Sequence, residues 1–408
     1  MPPVRKRRRE AIDGPFLYPI LMSAALVASM LASRDSAQQP FGVPVVPWRM
    51  PKVVKPAAAF ESRQGPAMAA LLAKSGGSQE TQQAVDAALD WLARHQNPDG
   101  SWSLDYLRRC QGPGCTGPGT LDVPAAATGL ALLPFLARGH THVSPGPYRK
   151  TVYDGLDWLT MHQKATGDLS VTAGQTQMYS HAIATMALCE AYGMTRDVRL
   201  QLPAVTALHF IETGQDRQTG GWWYTHRQPG GDTSVFGWQL SALETGRKAD
   251  LQPDHLPLEL AKKWLAGVSH GNSQGLFSYL PNQPAKPSMT AVGLLGTQDL
   301  GALRDDPRLA EGKRFLMAHL PEVSPRDHYY WYYATQALHN LPGEDWDKWN
   351  AAMRKVLLQS QSRGPGCAAG SWDPAKPAPD PWGALGGRLL TTSLATLTLE
   401  VYYRYAPR

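Results

Sequence analysis

A carboxylic acid at the start of an apolar segment is the clearest candidate for chemistry in this sequence. Asp232 follows a Pro-Gly-Gly turn and stands directly before Thr233, where a mostly apolar helical segment begins. Burial at the mouth of an apolar cavity would raise the pKa of this acid, so that it could donate a proton. The alternative is a helix N-cap, in which the carboxylate accepts backbone N–H bonds that lower its pKa. Asp122 precedes another apolar segment in the same way, which favours capping.

Aromatic side chains form the second candidate site. The run from His328 to Tyr333 reads His-Tyr-Tyr-Trp-Tyr-Tyr, and aromatic faces suit a cation or an isoprenoid chain. Consecutive residues of a helix point in different directions, so only part of the run can face one cavity; ordinary packing of a buried helix is the alternative. His181 is a further candidate to line the cavity, and the alternative for it is a buried, hydrogen-bonded histidine with a structural role. The residues that we predict to line a ligand cavity, besides the candidate acid Asp232, are Tyr179, His181, Thr233, Trp238, Tyr330 and Tyr333.

Cysteine and histidine spacing predicts no metal site, and we expect no cofactor. Cys189 and Cys367 have no histidine near them in the sequence, and the one closely spaced histidine pair stands alone in a loop, whereas zinc sites gather several such ligands. Cys110 and Cys115 are close enough in sequence for a short-loop disulfide in an exported domain. Two free thiols are the alternative for this pair.

The elements that must position these groups recur along the chain. An amphipathic helical segment ends in glutamine, a turn with glycine leads to tryptophan, and a more apolar helix then begins. We expect glycine to supply a positive φ, glutamine to bond helix-end amides and tryptophan to cover the junction, all of them structural roles. The clear copies are Gln96/Gly100/Trp102, Gln215/Gly220/Trp222 and Gln361/Gly370/Trp372, and weaker copies follow the helices at 148–163, 256–268 and 307–320.

Two sets of helices alternate along this repeat. The first set has clear polar faces, whereas the second is apolar on most faces, which is typical of an outer and an inner layer. Six outer-inner pairs that close on themselves form an all-α, (α/α)6 toroid of six helical hairpins. The inner segments are predicted at 124–137, 178–192, 233–245, 289–301, 329–341 and 389–405.

These turns resemble the QW-type repeats of the squalene cyclase and protein prenyltransferase superfamily, over roughly residues 80 to 408. The resemblance implies an α/α toroid with its chemistry at the starts of the inner helices. In the cyclases, the proton donor is the central acid of an Asp-x-Asp-Asp motif that follows a Gly-Gly-Trp turn. The matching segment here retains the last aspartate, Asp232, and has Gly231 at the place of the donor. The zinc ligands of the prenyltransferases, an Asp, a Cys and a His at inner-helix ends, have no counterpart that we find.

The N-terminal region predicts a membrane tether. The net charge is +6, but five basic residues less two acidic ones place +3 within residues 1–14. The remainder is therefore close to neutral, and no nucleic-acid partner is expected. Residues 15–32 carry no charge, which predicts a membrane anchor behind a basic cytoplasmic tail. A cleaved signal peptide and, for the basic run, a nuclear-localisation signal are the alternatives.

The rest of the chain divides into a linker and the toroid. Residues 33–78 are rich in Pro and Ala and are predicted as a linker, because proline excludes regular helix; residues 79–408 are predicted as the toroid. We therefore expect a membrane-anchored protein with an exported globular domain. A secreted or periplasmic protein, released by signal cleavage, is the alternative.

The resulting hypothesis is a toroid whose central cavity takes a hydrophobic, isoprenoid-type small molecule or lipid. As an enzyme, it would be a terpene cyclase-like isomerase or lyase, or a prenyltransferase-like transferase. The same cavity could hold a lipid without catalysis. The alternative from another class is a non-catalytic, membrane-tethered toroid with a structural or protein-interaction role, which needs only the shell.

Overall fold

The computed structural model of this chain describes residues 55–63, 65–110, 115–172 and 174–405. The predicted basic tail at 1–14 and the predicted membrane segment at 15–32 lie outside these residues. Within the described ranges, none of the helices combines the length and the apolar character that a bilayer crossing requires.

Almost all regular secondary structure in the described residues is helical. It begins with a 3-10 helix, Ala58–Arg63, and α1, Gly65–Lys74. Six amphipathic helices then form an outer layer, each with one buried face. They are α2 (Gln79–Arg94), α4 (Arg149–Met161), α6 (Val198–Gly214), α8 (His255–Val268), α10 (Pro307–Met317) and α12 (Glu344–Ser360).

The inner helices alternate with the outer ones and are buried on nearly all sides. In the first of them, every residue from Ala125 to Ala137 is buried, as its apolar sequence predicts. The six are α3 (Pro124–Ala137), α5 (Gln177–Thr195), α7 (Thr233–Lys248), α9 (Pro287–Asp299), α11 (His328–His339) and α13 (Gly383–Leu399). The last helix is α14, Val401–Arg404.

The order of contacts closes both layers. Each inner helix packs on the next inner helix along the chain, and α13 packs back on α3; in the outer layer, α12 contacts α2. An all-helical fold is therefore confirmed, and it is consistent with the predicted α/α toroid. The described strands are a two-residue antiparallel pair, β1 (Ser269–His270) and β2 (Leu276–Phe277), between α8 and α9.

The glutamine of each clear repeat joins neighbouring hairpins. Its side-chain amide donates to the carbonyl of the turn glycine and to a carbonyl of the next outer helix, so its partners are carbonyls rather than the amides that we expected. For Gln215 these acceptors are Gly220 and Pro257, at 2.8 and 3.1 Å. The corresponding acceptors are Gly100 and Thr151 for Gln96, and Gly370 and Ala84 for Gln361.

The turn glycines lie against the backbone of that next outer helix. Gly220 has φ +79°, and a Cβ added there would stand 1.9 Å from the carbonyl oxygen of Leu260 in α8. Gly370 has φ +92° and meets Ala87 of α2 in the same way, at 2.1 Å. Glycine is therefore required both for its conformation and for the close approach of two backbones. The tryptophans of the three clear repeats are fully buried and donate their indole N–H groups to the outer helix that precedes them.

The C-terminal part of the segment that we predicted as a linker belongs to the fold. Phe60 is buried against Gly193, and the backbone N–H of Ala57 donates to the Gly193 carbonyl. Farther along, the carbonyl of Ser75 accepts the indole N–H of Trp346. The described part of this segment therefore contains enough apolar surface to pack on the toroid.

A buried ion network fills the end of the inner ring where α5 finishes. Glu190 accepts hydrogen bonds from Arg63 at 2.5 Å and from Arg404 at 2.8 Å, and all three side chains are at most 2% exposed. The Tyr405 hydroxyl donates to the same carboxylate. Burial alone would raise the pKa of Glu190, but the two guanidinium groups outweigh it and lower the pKa to about 2. This end of the ring is therefore closed by paired charges.

We expect Gly220→Ala to lower the free energy of unfolding by about 2–4 kcal/mol, because it adds strain at a positive φ and a clash with Leu260. Gly267→Ala is the matched control, since Gly267 is exposed in α8 and its added Cβ meets nothing within 4 Å. That variant should be neutral or more stable by up to about 1 kcal/mol. Chemical denaturation measures the free energy of unfolding of both variants. Equal values for Gly220→Ala and Gly267→Ala would contradict the proposed backbone contact.

We expect Glu190→Gln to cost about 3–5 kcal/mol at neutral pH, because it leaves two buried guanidinium groups without a counter-charge. The folded-state pKa lies below the ordinary value, so this stabilisation is present above about pH 4.5 and is lost as the pH falls towards about 2. The difference in unfolding free energy between wild type and variant should shrink over that range. Glu344→Gln removes one partner of an exposed ion pair with Lys348 and should change stability little. If it cost as much as Glu190→Gln, the buried network would not be the cause.

Candidate functional site

Asp232 is both an N-cap and the centre of a polar cluster. It lies directly before α7 and is fully buried. Its Oδ1 accepts the backbone N–H of Val235 at 2.7 Å and the Ser234 hydroxyl at 2.8 Å. Its Oδ2 accepts the hydroxyl of Tyr279 at 2.8 Å. The capping alternative therefore describes the geometry.

The pKa of Asp232 nevertheless moves upward. Burial raises it, and the hydrogen bonds from Val235, Ser234 and Tyr279 lower it only in part. We expected a capping role to be accompanied by a lowered pKa, but loss of water around this carboxyl has the larger effect. Capping and a raised pKa thus occur in one residue.

Three half-buried tyrosines surround this carboxyl, and we call Tyr179, Tyr224 and Tyr279 the tyrosine cluster. The hydroxyls of Tyr224 and Tyr279 are hydrogen-bonded to each other at 2.5 Å, and the Tyr179 hydroxyl is bonded to that of Ser234. The rings of Tyr179 and Tyr224 stack with centroids 6.2 Å apart. Aromatic faces and a chain of hydroxyls therefore meet at the start of α7.

The aromatic run of α11 divides between two sides of the helix. Tyr333 packs edge-on against Trp238 of α7 at 5.6 Å, and both are buried in the ring interior. Tyr330 turns the other way: its hydroxyl donates to the His319 carbonyl and its ring meets Trp349 of α12. The prediction that Tyr330 lines the cavity is therefore corrected, because the helical period directs it to the outer layer.

His181 and Thr233 have structural contacts. His181 Nδ1 accepts the backbone N–H of Leu169, and Nε2 donates to the Ala207 carbonyl of the outer helix α6. Burial lowers the pKa of His181 to about 4, so the ring is neutral. The hydroxyl of Thr233 donates to the Ser278 carbonyl. Both residues hold a turn against an inner helix, which corrects their prediction as cavity residues.

A second acidic group lies at the same end of the inner ring, and the sequence analysis missed it. Asp327 caps α11 as Asp232 caps α7, and burial raises its pKa to about 7, with the Asp380 charge adding to the effect. Tyr329 lies near both acids. Burial raises its pKa, and the negative charges of Asp232 and Asp327 raise it further. The signal in the sequence was an aspartate before an inner helix. His328 Nδ1 is 2.8 Å from Asp380 Oδ2.

The end of the ring opposite to Asp232 and Asp327 offers little space. The pocket there has a volume of about 50 Å³ and is lined by charged side chains such as Glu244 and Lys248, with Arg404 and Tyr405 beside them. Ligand sites for drug-sized molecules are several times larger, about 300–1,000 Å³. An extended lipid therefore does not fit at this end.

The cysteines predicted as a possible disulfide are both free. They lie instead beside Cys367 and His95, and the four ligand atoms are all within 4.8 Å of one another. The sequence spacing predicted no metal site, whereas the structure brings four possible metal ligands together. The histidine and the third cysteine are far from the pair in sequence, so spacing alone could not reveal the group.

Comparison with known proteins identifies a fold but no family. No protein-family model matches the chain, and no curated protein does. Among solved structures, a Salegentibacter α-1,6-mannanase is 13% identical with a TM-score of 0.56, over 79% of this chain and 99% of that one. A variant of the type II terpene cyclase MstE from Scytonema, bound to geranylgeranyl dihydroxybenzoate, is 13% identical with a TM-score of 0.53, over 80% and 97%.

An α-amylase from Clostridium perfringens is similar to the same degree, at 10% identity and a TM-score of 0.53 over 79% of this chain and 98% of that one. The mannanase and the cyclase are both α/α toroids. Because proteins of quite different activity share this likeness, it establishes the fold and leaves the chemistry to the site itself.

We expect Asp232→Ala to lower the free energy of unfolding by about 1 kcal/mol or more through loss of the cap, and Asp232→Asn to cost less because its amide oxygen still accepts. The folded-state pKa of Asp232 is raised, so stability is highest below the ordinary pKa and declines as the pH rises through the folded one. The stability of the Asn variant should therefore increase relative to that of wild type as the pH rises above about 4. Thermal unfolding across this range is the measurement, and a constant difference would contradict the raised pKa.

Proposed function

We propose that the tyrosine cluster around Asp232 forms the mouth of a binding site for an apolar, unsaturated ligand of isoprenoid type. The observation that carries this proposal is the combination of three half-buried tyrosine rings with a fully buried carboxyl whose pKa is raised. Aromatic faces stabilise unsaturated chains and developing positive charge. A carboxyl that holds its proton can hydrogen-bond to, or protonate, the polar or reactive end of such a ligand.

The packing at the Glu190 end of the ring supports ligand entry from the Asp232 end. Glu190 and its two arginines fill the ring where α5 ends, and the pocket beside them is small. At the Asp232 end, by contrast, Trp382 is 43% exposed and its ring lies 6.1 Å from that of the buried Tyr329. An apolar chain would therefore enter beside exposed aromatic surface.

The fold comparison adds limited support. The cyclase MstE, which has a similar fold, binds geranylgeranyl dihydroxybenzoate as its substrate. The mannanase is inactive when two adjacent aspartates are changed to asparagine. The one adjacent aspartate pair of this sequence is Asp305 and Asp306, and Asp306 caps the outer helix α10, away from the inner helix starts. Neither acid motif is complete at the inner helix starts of this sequence, so the stacked tyrosine rings beside Asp232 are the ground on which we favour the isoprenoid class.

If catalysis accompanies binding, we propose Asp232 and its hydroxyl partners as the acid. The position of the cyclase proton donor is Gly231, where an added Cβ would lie 2.9 Å from the Gly221 Cα and the Trp222 nitrogen. An aspartate does not fit in this turn without movement of its backbone. A protonated Asp232 would instead donate to Tyr279, reversing the hydrogen bond that Tyr279 now donates to Oδ2, while Tyr279 gives its own hydroxyl proton to the ligand. We retain residues 15–32 as a proposed membrane anchor, which would hold the site near lipids.

A second candidate function is a structural or protein-interaction toroid without a ligand. One observation favours it: Trp238, Tyr332 and Tyr333 pack on one another inside the ring, and both oxygens of Asp232 are already hydrogen-bonded. Under this hypothesis, changes in the tyrosine cluster would alter stability and nothing else.

The test is mass spectrometry of lipids that co-purify with the full-length protein from its native host. We expect wild type to retain a defined polyprenoid or terpenoid, and Tyr224→Ala to retain at least about tenfold less, since it removes one ring of the cluster. Tyr330→Phe is the control, because Tyr330 contacts the outer layer. Absence of lipid from wild type, or equal amounts in all three proteins, would favour the interaction toroid.

Turnover of the retained lipid then tests the acid. Asp232→Asn keeps the shape and most of the cap but cannot donate the same proton, so any activity should be abolished while binding persists. Unchanged turnover in this variant would remove Asp232 from the mechanism.

A further inference from the structure

Three cysteines and one histidine meet where the first and last hairpins of the ring come together. His95 is the C-cap residue of α2, and its Nε2 lies 3.5 Å from the Sγ of Cys110, 3.5 Å from that of Cys115 and 3.2 Å from that of Cys367. The proposed function does not use any of these residues. We propose that His95, Cys110, Cys115 and Cys367 bind one zinc ion, a structural site that joins the two ends of the ring.

The distances agree with a single tetrahedral ion. Zn–S bonds of about 2.3 Å and Zn–N bonds of about 2.0–2.1 Å place a nitrogen and a sulfur ligand about 3.5 Å apart at the tetrahedral angle. The three observed separations lie between 3.2 and 3.5 Å. Soft thiolates with one imidazole are a ligand set that selects zinc, and four protein ligands leave no open position for substrate.

The surroundings orient the histidine for this role. Nδ1 of His95 lies 2.7 Å from the carbonyl oxygen of Trp91. A carbonyl can only accept, so Nδ1 carries the proton and the lone pair of Nε2 points to the three sulfurs. A second hydrogen bond of this kind is typical of histidines that bind metals. Trp91 stacks on the imidazole at 4.2 Å and Tyr106 meets it edge-on at 5.2 Å, which limits its rotation.

Positively charged side chains lie close to the site. A zinc ion with three thiolates and a neutral imidazole would carry one net negative charge. The guanidinium of Arg109 donates to the carbonyl of Gln96, next to His95, and that of Arg388 donates to the carbonyl of Thr116, next to Cys115. These guanidinium groups can offset the excess negative charge without serving as ligands. A disulfide between Cys110 and Cys115 would use only two of the sulfurs and would leave Cys367 and the oriented histidine without a role.

The position of the cluster suggests what the metal would do. His95 ends the first outer helix, whereas Cys367 lies in the turn that follows the last one, 272 residues later. One ion would therefore fix the interface at which the ring closes, beside the hydrogen bond from Gln361 to the Ala84 carbonyl. Cross-links between distant residues restrict the unfolded chain most, so metal binding should contribute directly to folding stability.

The test is the metal content of the full-length protein, purified under reducing conditions, supplied with zinc and then freed of excess metal. We expect about one zinc per chain in wild type and in Cys189→Ala, and a loss of most of it in Cys367→Ala. Cys189 is the matched control because it is buried in α5, outside the cluster. Removal of zinc with a chelator should lower the Tm of wild type and of the control.

Cobalt replacement of the wild-type ion keeps the test independent of how well Cys367→Ala folds. Intense thiolate-to-cobalt charge transfer and the visible bands of tetrahedral cobalt are expected. Zinc content below about a tenth of an equivalent in wild type, equal content in both variants, or an octahedral cobalt spectrum would overturn the proposal. So would a Cys110–Cys115 disulfide that persists when reductant and zinc are supplied.

Discussion

The fold depends on a repeated contact between each hairpin turn and the next outer helix. The side-chain amide of a glutamine bridges the turn and that helix, while a glycine allows the two backbones to approach more closely than any side chain permits, as Gly220 does at Leu260. Neither group contributes large apolar area. Their effect is geometric: they set the distance and rotation between neighbouring hairpins, and the buried tryptophan then fills the remaining space. Steps of this kind recur around the ring until α13 meets α3, so an error at one turn would be carried into the following hairpins.

The same construction explains why the candidate site lies at the starts of the inner helices. Each inner helix begins after a tight turn, and its first amides need acceptors, which Asp232 and Asp327 supply. Because these helices are buried, their capping carboxyls are buried as well, and loss of water raises the pKa of both. A requirement of helix capping therefore produces protonatable groups inside the ring. At the opposite end the buried carboxylate of Glu190 is kept ionised by two arginines, so the acids at the two ends of the ring differ in charge state.

Much of the fold could be predicted from periodicity, and less of the site. Alternation of amphipathic and apolar helices indicates two layers, and residues such as Gln215 and Trp222 mark the turns. The direction of a side chain within a buried helix is harder to assign: Tyr330 and Tyr333 are both apolar-helix tyrosines, yet one faces the outer layer and the other the ring interior. His181 takes the place that Thr128 takes in the first repeat, where a hydroxyl accepts the turn amide. That equivalence appears only when the repeats are superposed in space.

Closure of the ring is the step that local sequence describes least. Most interfaces in the described toroid join hairpins that follow one another along the chain, whereas the first hairpin (α2 and α3) meets the last (α12 and α13) from opposite ends of it. The entropic cost of bringing such ends together grows with the logarithm of the intervening length, and the packing of α13 on α3 and α2 must overcome it. His95 and Cys367 meet at this interface. A strong bond placed there would offset this entropic cost directly, whereas the same bond between neighbouring hairpins would add less, since those hairpins are already close along the chain. The position of the four ligands is thus the one at which a metal would stabilise a closed ring most.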